Sequence, residues 1–484
     1  MSMRVKLFLS SLLLLSSFNV SIGQNKPSIF VRTNTVQPVM SNLPLQTNQK
    51  QNGEVGVFYN DICLPAKLYM LSTVQNNVFV EPLIKRWRPF NDVVRFSGTA
   101  NFQRRLQRVA SVCSPIDGMT IQADLINLDH FDTIKSVTSV IVVGQKGTGV
   151  DSVTVSIIGD SFTYGAFFKD ALLKKGYVPK ICMVGLQEVS GCPNQFDEGR
   201  PGWTLQSYFG VTKEREKAYN GFWQPTGEYH YWGGTAFWQL VNEMNLYPNK
   251  QWLPKEVYNA SRFIREAGLF DEKTGYKLHP VENDVMYDNI AEHYVKFDGR
   301  KWKKVEYEDF TWGFDYKKYL SMWKLKAPSI LAEFLGLNDF RDFPNPETID
   351  FDVWNKQIEL MVKSYLKAVP NGKFVLMIPE STCGILDNTA GDFTVKQNAC
   401  MWQLRKNIID KFDRRESEHI YVVDAAIGID NQDGYTYTTD DKYITPYADY
   451  PKVNKLPVQW GNPHPYPNYP VMGIPLAAFI QKYR

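Results

Sequence analysis

Histidine and cysteine are scarce in this 484-residue chain, with six of each. His130, His230, His279, His293, His419 and His464 fit no metal-ligand spacing, and no Cys-x-x-Cys pair occurs, so the sequence calls for neither a metal nor a cofactor. Charge of one sign is not in excess either: 54 Lys and Arg stand against 51 Asp and Glu. The only basic block is the short stretch Gln103 to Arg108. Nucleic acid is therefore not expected as a partner. Long hydrophobic runs are also missing. After the first residues no stretch of roughly 18 apolar positions exists, which argues against a transmembrane helix.

The N-terminus carries what the rest lacks. Arg4 and Lys6 precede an apolar run from Leu7 to Phe18, and Ser21-Ile22-Gly23 offers a small-residue cleavage site, so residues 1–23 read as a secretory leader. A secreted or periplasmic protein is the expectation, beginning near Gln24 after cleavage. In an exported chain an even number of cysteines suits disulfides. Pairing between sequence neighbours is preferred, Cys63 with Cys113, Cys182 with Cys192 and Cys383 with Cys400, with buried free thiols as the alternative.

Two patterns divide the remainder. After a polar segment at 24–54, residues 55–148 alternate short apolar runs with polar breaks. Strands are expected at Val55–Tyr59, Lys67–Leu71, Val78–Val80, Val93–Phe96, Met119–Leu125 and Val137–Val143, which suits a small all-β sandwich domain. Gln145 to Gly149 reads as a linker. From about residue 150 to 484, buried strands alternate with helical stretches, the pattern of a parallel sheet with helices on both faces. The expected strands are Val153–Ile158, Lys180–Val184, Ser329–Leu335, Phe374–Ile378 and Ile420–Val423. The expected helices are Gly165–Lys175, Phe351–Ala368, Val395–Arg414 and Val471–Lys482. The fold class is α/β, a flavodoxin-like three-layer α/β/α sandwich. The gap from about 203 to 325 is too long for one crossover and marks an insertion. It is rich in Trp and Tyr, including Trp203, Phe222, Trp223, Tyr229, Tyr231, Trp232, Phe237, Trp238 and Trp252. Such rings stack on sugars, but more often they build a local core.

In open parallel sheets, ligands bind beyond the carboxyl ends of the strands. Ser161 follows the first expected strand there, and Gly336-Leu337-Asn338-Asp339 follows the third. Gly199-Arg200-Pro201-Gly202-Trp203 lies on a loop that could reach the same crevice, and His464-Pro465 precedes the last helix. Acyl transfer needs a hydroxyl, a base and donors aimed at the oxyanion. Ser161 and His464 are candidates for the first two. The backbone N–H groups of Ser161 and Gly202, with the Asn338 side-chain amide, are candidates for the third. Asp160 reads as a turn-holding residue, and Arg200 either as a group orienting an anionic or polar substrate or as half of a surface salt bridge.

These four blocks resemble the SGNH (GDSL-type) hydrolase family, from about residue 153 to the C-terminus with the insertion interrupting. The resemblance implies that Gly159-Asp160-Ser161 is the nucleophile block, Gly202 the glycine block, Gly336-Leu337-Asn338-Asp339 the Gly-x-Asn-Asp block and His464 the base. One position departs from it: the family's last block is Asp-x-x-His, and Gly461 stands where the Asp belongs. A group that holds the imidazole tautomer is therefore expected elsewhere. The candidates are a backbone carbonyl near Trp460 or Gly461, the Asn462 side chain, or an acid such as Asp430 or Asp433.

The sequence thus points to a carbohydrate-esterase-like serine hydrolase removing ester substituents, foremost O-acetyl groups, from a polysaccharide or oligosaccharide. The same site would also serve a methyl esterase or a lipid or thioester hydrolase. The missing Asp leaves open a non-catalytic glycan-binding protein on a decayed esterase scaffold. The sequence does not address oligomeric state.

Overall fold

The computed structural model describes residues 60–86, 91–105, 108–144, 152–210, 221–232, 276–288, 291, 293–380, 395–431, 434, 437–438, 458–459 and 464–484. The expected leader, the polar segment, the strand at Val55–Tyr59 and the linker lie outside these. All described residues belong to one compact unit spanning Tyr59–Leu246 and Trp252–Arg484.

The first part is all-β. Strands β1 (Lys67–Leu71), β2 (Asn76–Phe79), β3 (Asp92–Ser97), β4 (Phe102–Arg105), β5 (Val109–Val112), β6 (Thr120–Asn127) and β7 (Thr133–Gly144) form two sheets, ordered β1-β7-β6-β3 and β2-β5-β4. Alternation drives them: β3 buries Val94 and Phe96 on one face and turns Arg95 outward. Residues of both sheets, among them Leu68, Val78, Phe96, Val112, Ile121 and Ile141, share one apolar cluster that Ile427 joins from far along the chain. Further ties reach the rest of the unit. Phe79 N–H donates to the Ile427 carbonyl at 2.9 Å, Trp402 Nε1 to the Leu83 carbonyl at 2.8 Å, and the Tyr69 and Phe479 rings meet edge to face at 5.2 Å.

The second part is built on a seven-stranded sheet. Its centre is β8 (Val153–Gly159), buried at every residue. On one side of it lie β9 (Ile181–Met183), β10 (Gln187–Glu188) and β11 (Phe196–Gly199), with β9 and β11 both parallel to β8 and β10 antiparallel to β11. The insertion contributes β12 (Trp223–Pro225), β13 (His230–Tyr231), β14 (Asp284–Asp288), β15 (His293–Phe297), β16 (Trp302–Val305) and β17 (Trp312–Phe314), outside the main sheet. On the other side of β8, β18 (Ile330–Phe334), β19 (Lys373–Ile378) and β20 (Ile420–Asp424) follow in order, all parallel. Runs such as Phe374–Ile378 are apolar without alternation because both faces are covered.

Helices run at Asp352–Ala368, Val395–Phe412 and Ile474–Tyr483, close to expectation. The expected helix at Gly165–Lys175 is instead broken. A short helix Ser161–Tyr164 stops at Gly165, Ala166 takes φ +56°, and a π-helical turn resumes at Asp170–Lys174. A non-glycine residue with positive φ cannot continue a right-handed helix. No helix among the described residues is long and apolar enough to cross a membrane.

Two of the preferred disulfides, Cys63 with Cys113 and Cys182 with Cys192, are not formed, these four cysteines being free thiols, and the third involves Cys383, which lies outside the described residues. Cys63 is a core residue, its thiol pushed up to about 12 by burial. The described rings of the insertion form a local core: Phe222 packs on Phe314, Tyr316 and Tyr319, and Tyr231 and Trp232 are buried. Phe237, Trp238 and Trp252 fall outside the described residues.

Candidate active site

The carboxyl end of β8 makes the first piece. Gly159 passes so close to neighbouring chain that a Cβ would lie 2.0 Å from Thr163 Oγ1 and 2.9 Å from the Phe334 carbonyl oxygen. Asp160 then caps the helix of Ser161, its Oδ1 accepting the Phe162 N–H at 2.9 Å. The cap leaves Ser161 half-buried at the first helical position, where a backbone N–H has no acceptor within the helix.

The glycine loop docks directly on this turn. A Cβ on Gly199 would lie 2.1 Å from the Tyr164 nitrogen, and Arg200 N–H donates to the Gly159 carbonyl at 2.9 Å. Gly202 takes φ +72°, a left-handed conformation that glycine tolerates without strain. Arg200 itself is fully buried, paired with Glu198 at 2.5 Å and lying over the Trp203 ring. The substrate-orienting reading of Arg200 is thereby overturned, and its ion pair is internal, not superficial.

The third block joins both. Asn338 Nδ2 donates to Asp160 Oδ2 at 3.2 Å and to the Trp203 carbonyl at 3.1 Å, and the Asp339 carboxylate accepts the Leu205 N–H at 3.0 Å. Both amide hydrogens of Asn338 are therefore directed at protein acceptors. Donation to an incoming oxyanion requires one of these bonds to be shared or exchanged.

His464 closes the group. Its ring stacks on Phe162, the neighbour of Ser161, with centroids 4.4 Å apart and planes at 24°. On Tyr466 the stack is 5.4 Å at 11°. His464 Nδ1 is hydrogen-bonded to the Tyr469 hydroxyl. Tyr469 in turn sits over the Ser161 turn, since a Cβ on Gly165 would lie 3.1 Å from its oxygen. The four separated blocks are thus brought together at one end of the sheet. Of the expected orienting groups, Asp430 is bound to Arg108 at 2.7 Å, and Trp460, Gly461, Asn462 and Asp433 lie outside the described residues. Tyr469 was not legible in the sequence, because no spacing rule links it to a base five residues earlier.

Burial governs the electrostatics. It pushes the carboxyl of Asp160 up to about 7, reinforced by the charge of Asp339, and pushes Asp339 itself to about 7. Glu333 and Glu380, both fully enclosed, are raised well above the usual carboxylate range by the same cause. His464 is pushed down to about 4 by burial and by the Arg341 charge, and burial raises the Tyr469 phenol, which stays neutral. Among the described residues no group of His, Cys, Asp or Glu is arranged to hold a metal ion.

No protein-family model matches the sequence, and no curated protein matches it. Solved structures similar to the chain include a possible lipase from Chitinophaga pinensis, at 14% identity and a TM-score of 0.23, covering 68% of this chain and 95% of that one. A family two carbohydrate esterase from Clostridium thermocellum, in complex with cellohexaose, gives 9% identity and a TM-score of 0.25, covering 84% and 90%. Scores this low assign no activity.

Proposed function

We propose that the chain is an exported serine ester hydrolase of the SGNH type, removing O-acetyl groups from a polysaccharide or oligosaccharide through an acyl-enzyme. The observation that carries this reading is the stacking of His464 on the residue next to Ser161, at the strand end where the glycine loop and the Asn338 block also meet. The strand order, with β9 and β11 beside β8 and then β18, β19 and β20, supports a flavodoxin-like sheet with its ligand crevice at that end.

In the reaction Ser161 Oγ attacks the acyl carbon while its proton passes to His464 Nε2. The N–H groups of Ser161 and Gly202 and the Asn338 amide receive the oxyanion. Collapse breaks the bond to the sugar oxygen, which takes the proton from His464. Water, deprotonated by the same imidazole, then releases acetate and restores the serine. Tyr466, 48% exposed and parallel to His464, offers an aromatic face at the mouth of the site for a sugar ring.

Acetate release from acetylated xylan, pectin or synthetic acetyl esters tests the assignment. The intact protein should release it and Ser161→Ala should not; equal release by both would remove Ser161 as nucleophile. Methyl esters of uronic acids are the second reading, motivated by Arg341, whose charge acts on His464 and Asp160 and which a polyuronate would have to share with its ion-pair partner Asp342. Methanol in place of acetate decides for it.

A further inference from the structure

Accepting Ser161 and His464 as nucleophile and base, we infer that Tyr469 is the positioning residue for His464, taking the place of the acid that Gly461 does not provide. The imidazole is held on three sides. Phe162 and Tyr466 cover its two faces, and the Tyr469 hydroxyl meets Nδ1. Tyr469 is itself fixed, being buried with its ring against Phe162 at 6.0 Å and against Tyr466 at 5.1 Å. Proline at 470 in the same short helix, Tyr469–Met472, sits where its missing N–H costs nothing.

The direction of the hydrogen bond decides the chemistry. A hydroxyl can donate or accept. If the phenol donated to Nδ1, the ring proton would sit on Nε2, and that nitrogen could not take the serine proton. A working base needs the reverse, with Nδ1–H donating to Tyr469 Oη and the lone pair on Nε2. The phenol remains neutral in its buried setting, so it orients the ring as a dipole and adds no negative charge of its own to the imidazolium. Tyr469 thus differs from an orienting acid in one measurable way: it fixes the tautomer without raising the basicity of the ring.

The test uses the full chain labelled with ¹⁵N-histidine, with the His464 signals identified by their absence in His464→Gln. Wild-type protein at pH 7 should show a protonated Nδ1 and a bare Nε2. Tyr469→Phe should move His464 toward the Nε2–H tautomer and lower kcat by about 10- to 100-fold with KM nearly unchanged, less than the loss on removing a charged partner. A wild-type His464 protonated at Nε2 would overturn the inference without any variant, which matters if Tyr469→Phe folds poorly. So would a Tyr469→Phe enzyme with wild-type kcat and tautomer. Failure of the Ser161 assignment looks different: Ser161→Ala would stay active, while the ¹⁵N spectrum would still report whether Tyr469 holds the ring.

Discussion

Glu198 and Asp424 enter the interior of the central sheet beside Arg200 and Arg405, whereas Glu333 of β18 and Glu380, just beyond β19, are buried there with no cation paired to either among the described residues. All four carboxyls are buried, at 0–2% exposure. The two solutions to burying an acid are thus present in one sheet: a guanidinium beside it, or a proton on it. The difference follows position. The paired acids hold strands and helices together, Asp424 at the end of β20 gripping Arg405 of the helix Val395–Phe412, and Glu198 in β11 gripping Arg200 of the glycine loop. The unpaired acids lie close to Asp160 and, for Glu380, to Tyr469, in the neighbourhood of Ser161 and His464. Kept neutral, they place no fixed negative charge where an oxyanion would form.

The largest expected effect comes from breaking a compensated pair. Arg405→Met leaves Asp424 buried without its cation, and urea unfolding should report a loss of about 3–5 kcal/mol. Next is the base. Burial and the Arg341 charge both disfavour the imidazolium, so kcat/KM should hold down to an acid limb near pH 4, where His464 takes up its proton, not near the usual imidazole value of about 6.5. At pH 5 the difference between those limbs is roughly 30-fold in rate. A limb at 6 or above, in an enzyme whose activity depends on Ser161, would mean that an ionised carboxylate faces the ring after all.

The uncompensated acids give a smaller effect, with a sign that depends on pH. Because the folded-state pKa of Glu333 is raised above its unfolded value, the folded protein binds the extra proton, and this contribution to stability is lost as pH rises toward the folded pKa. Glu333→Gln removes the titration. Unfolding at pH 5 should find variant and wild type nearly equal, and at pH 8 to 9 the Gln variant ahead by about 1–3 kcal/mol. Equal differences at both pH values would show that Glu333 is ionised throughout.

What the sequence disclosed follows the same division. Strands such as Phe374–Ile378 were legible because burial on both faces writes an unbroken apolar run, and in Val153–Gly159 only Thr154 and Ser156 interrupt one. Phe102–Arg105 was missed because a strand carrying Gln103, Arg104 and Arg105 reads as a surface stretch. The four blocks were picked out as residue types at strand ends or on loops near them, and the structure brings them to one end of the sheet. The helix break at Ala166 was not legible, since a positive φ at alanine has no composition signal. Nor were the Tyr469 contact or the neutral Glu333 and Glu380: each depends on which groups tertiary packing places nearby. The pairings of Cys63 with Cys113 and of Cys182 with Cys192 failed for the same reason, proximity in sequence having stood in for proximity in space.

The smallest effect marks the outer boundary of the comparison. Lys67 and Glu416 are paired at 2.5 Å between β1 and the turn before β20, with side chains 34% and 28% exposed. Water and salt reach both, so the attraction is screened and partly cancelled by the cost of ordering two flexible chains. Glu416→Gln should cost less than about 1 kcal/mol, and raising the ionic strength should shrink that loss further. The loss in Arg405→Met should persist in the same salt, since its uncompensated Asp424 is out of reach of counter-ions. A salt-sensitive Arg405 effect together with a salt-resistant Glu416 effect would break the distinction, because burial would then not be what separates the acids of this sheet.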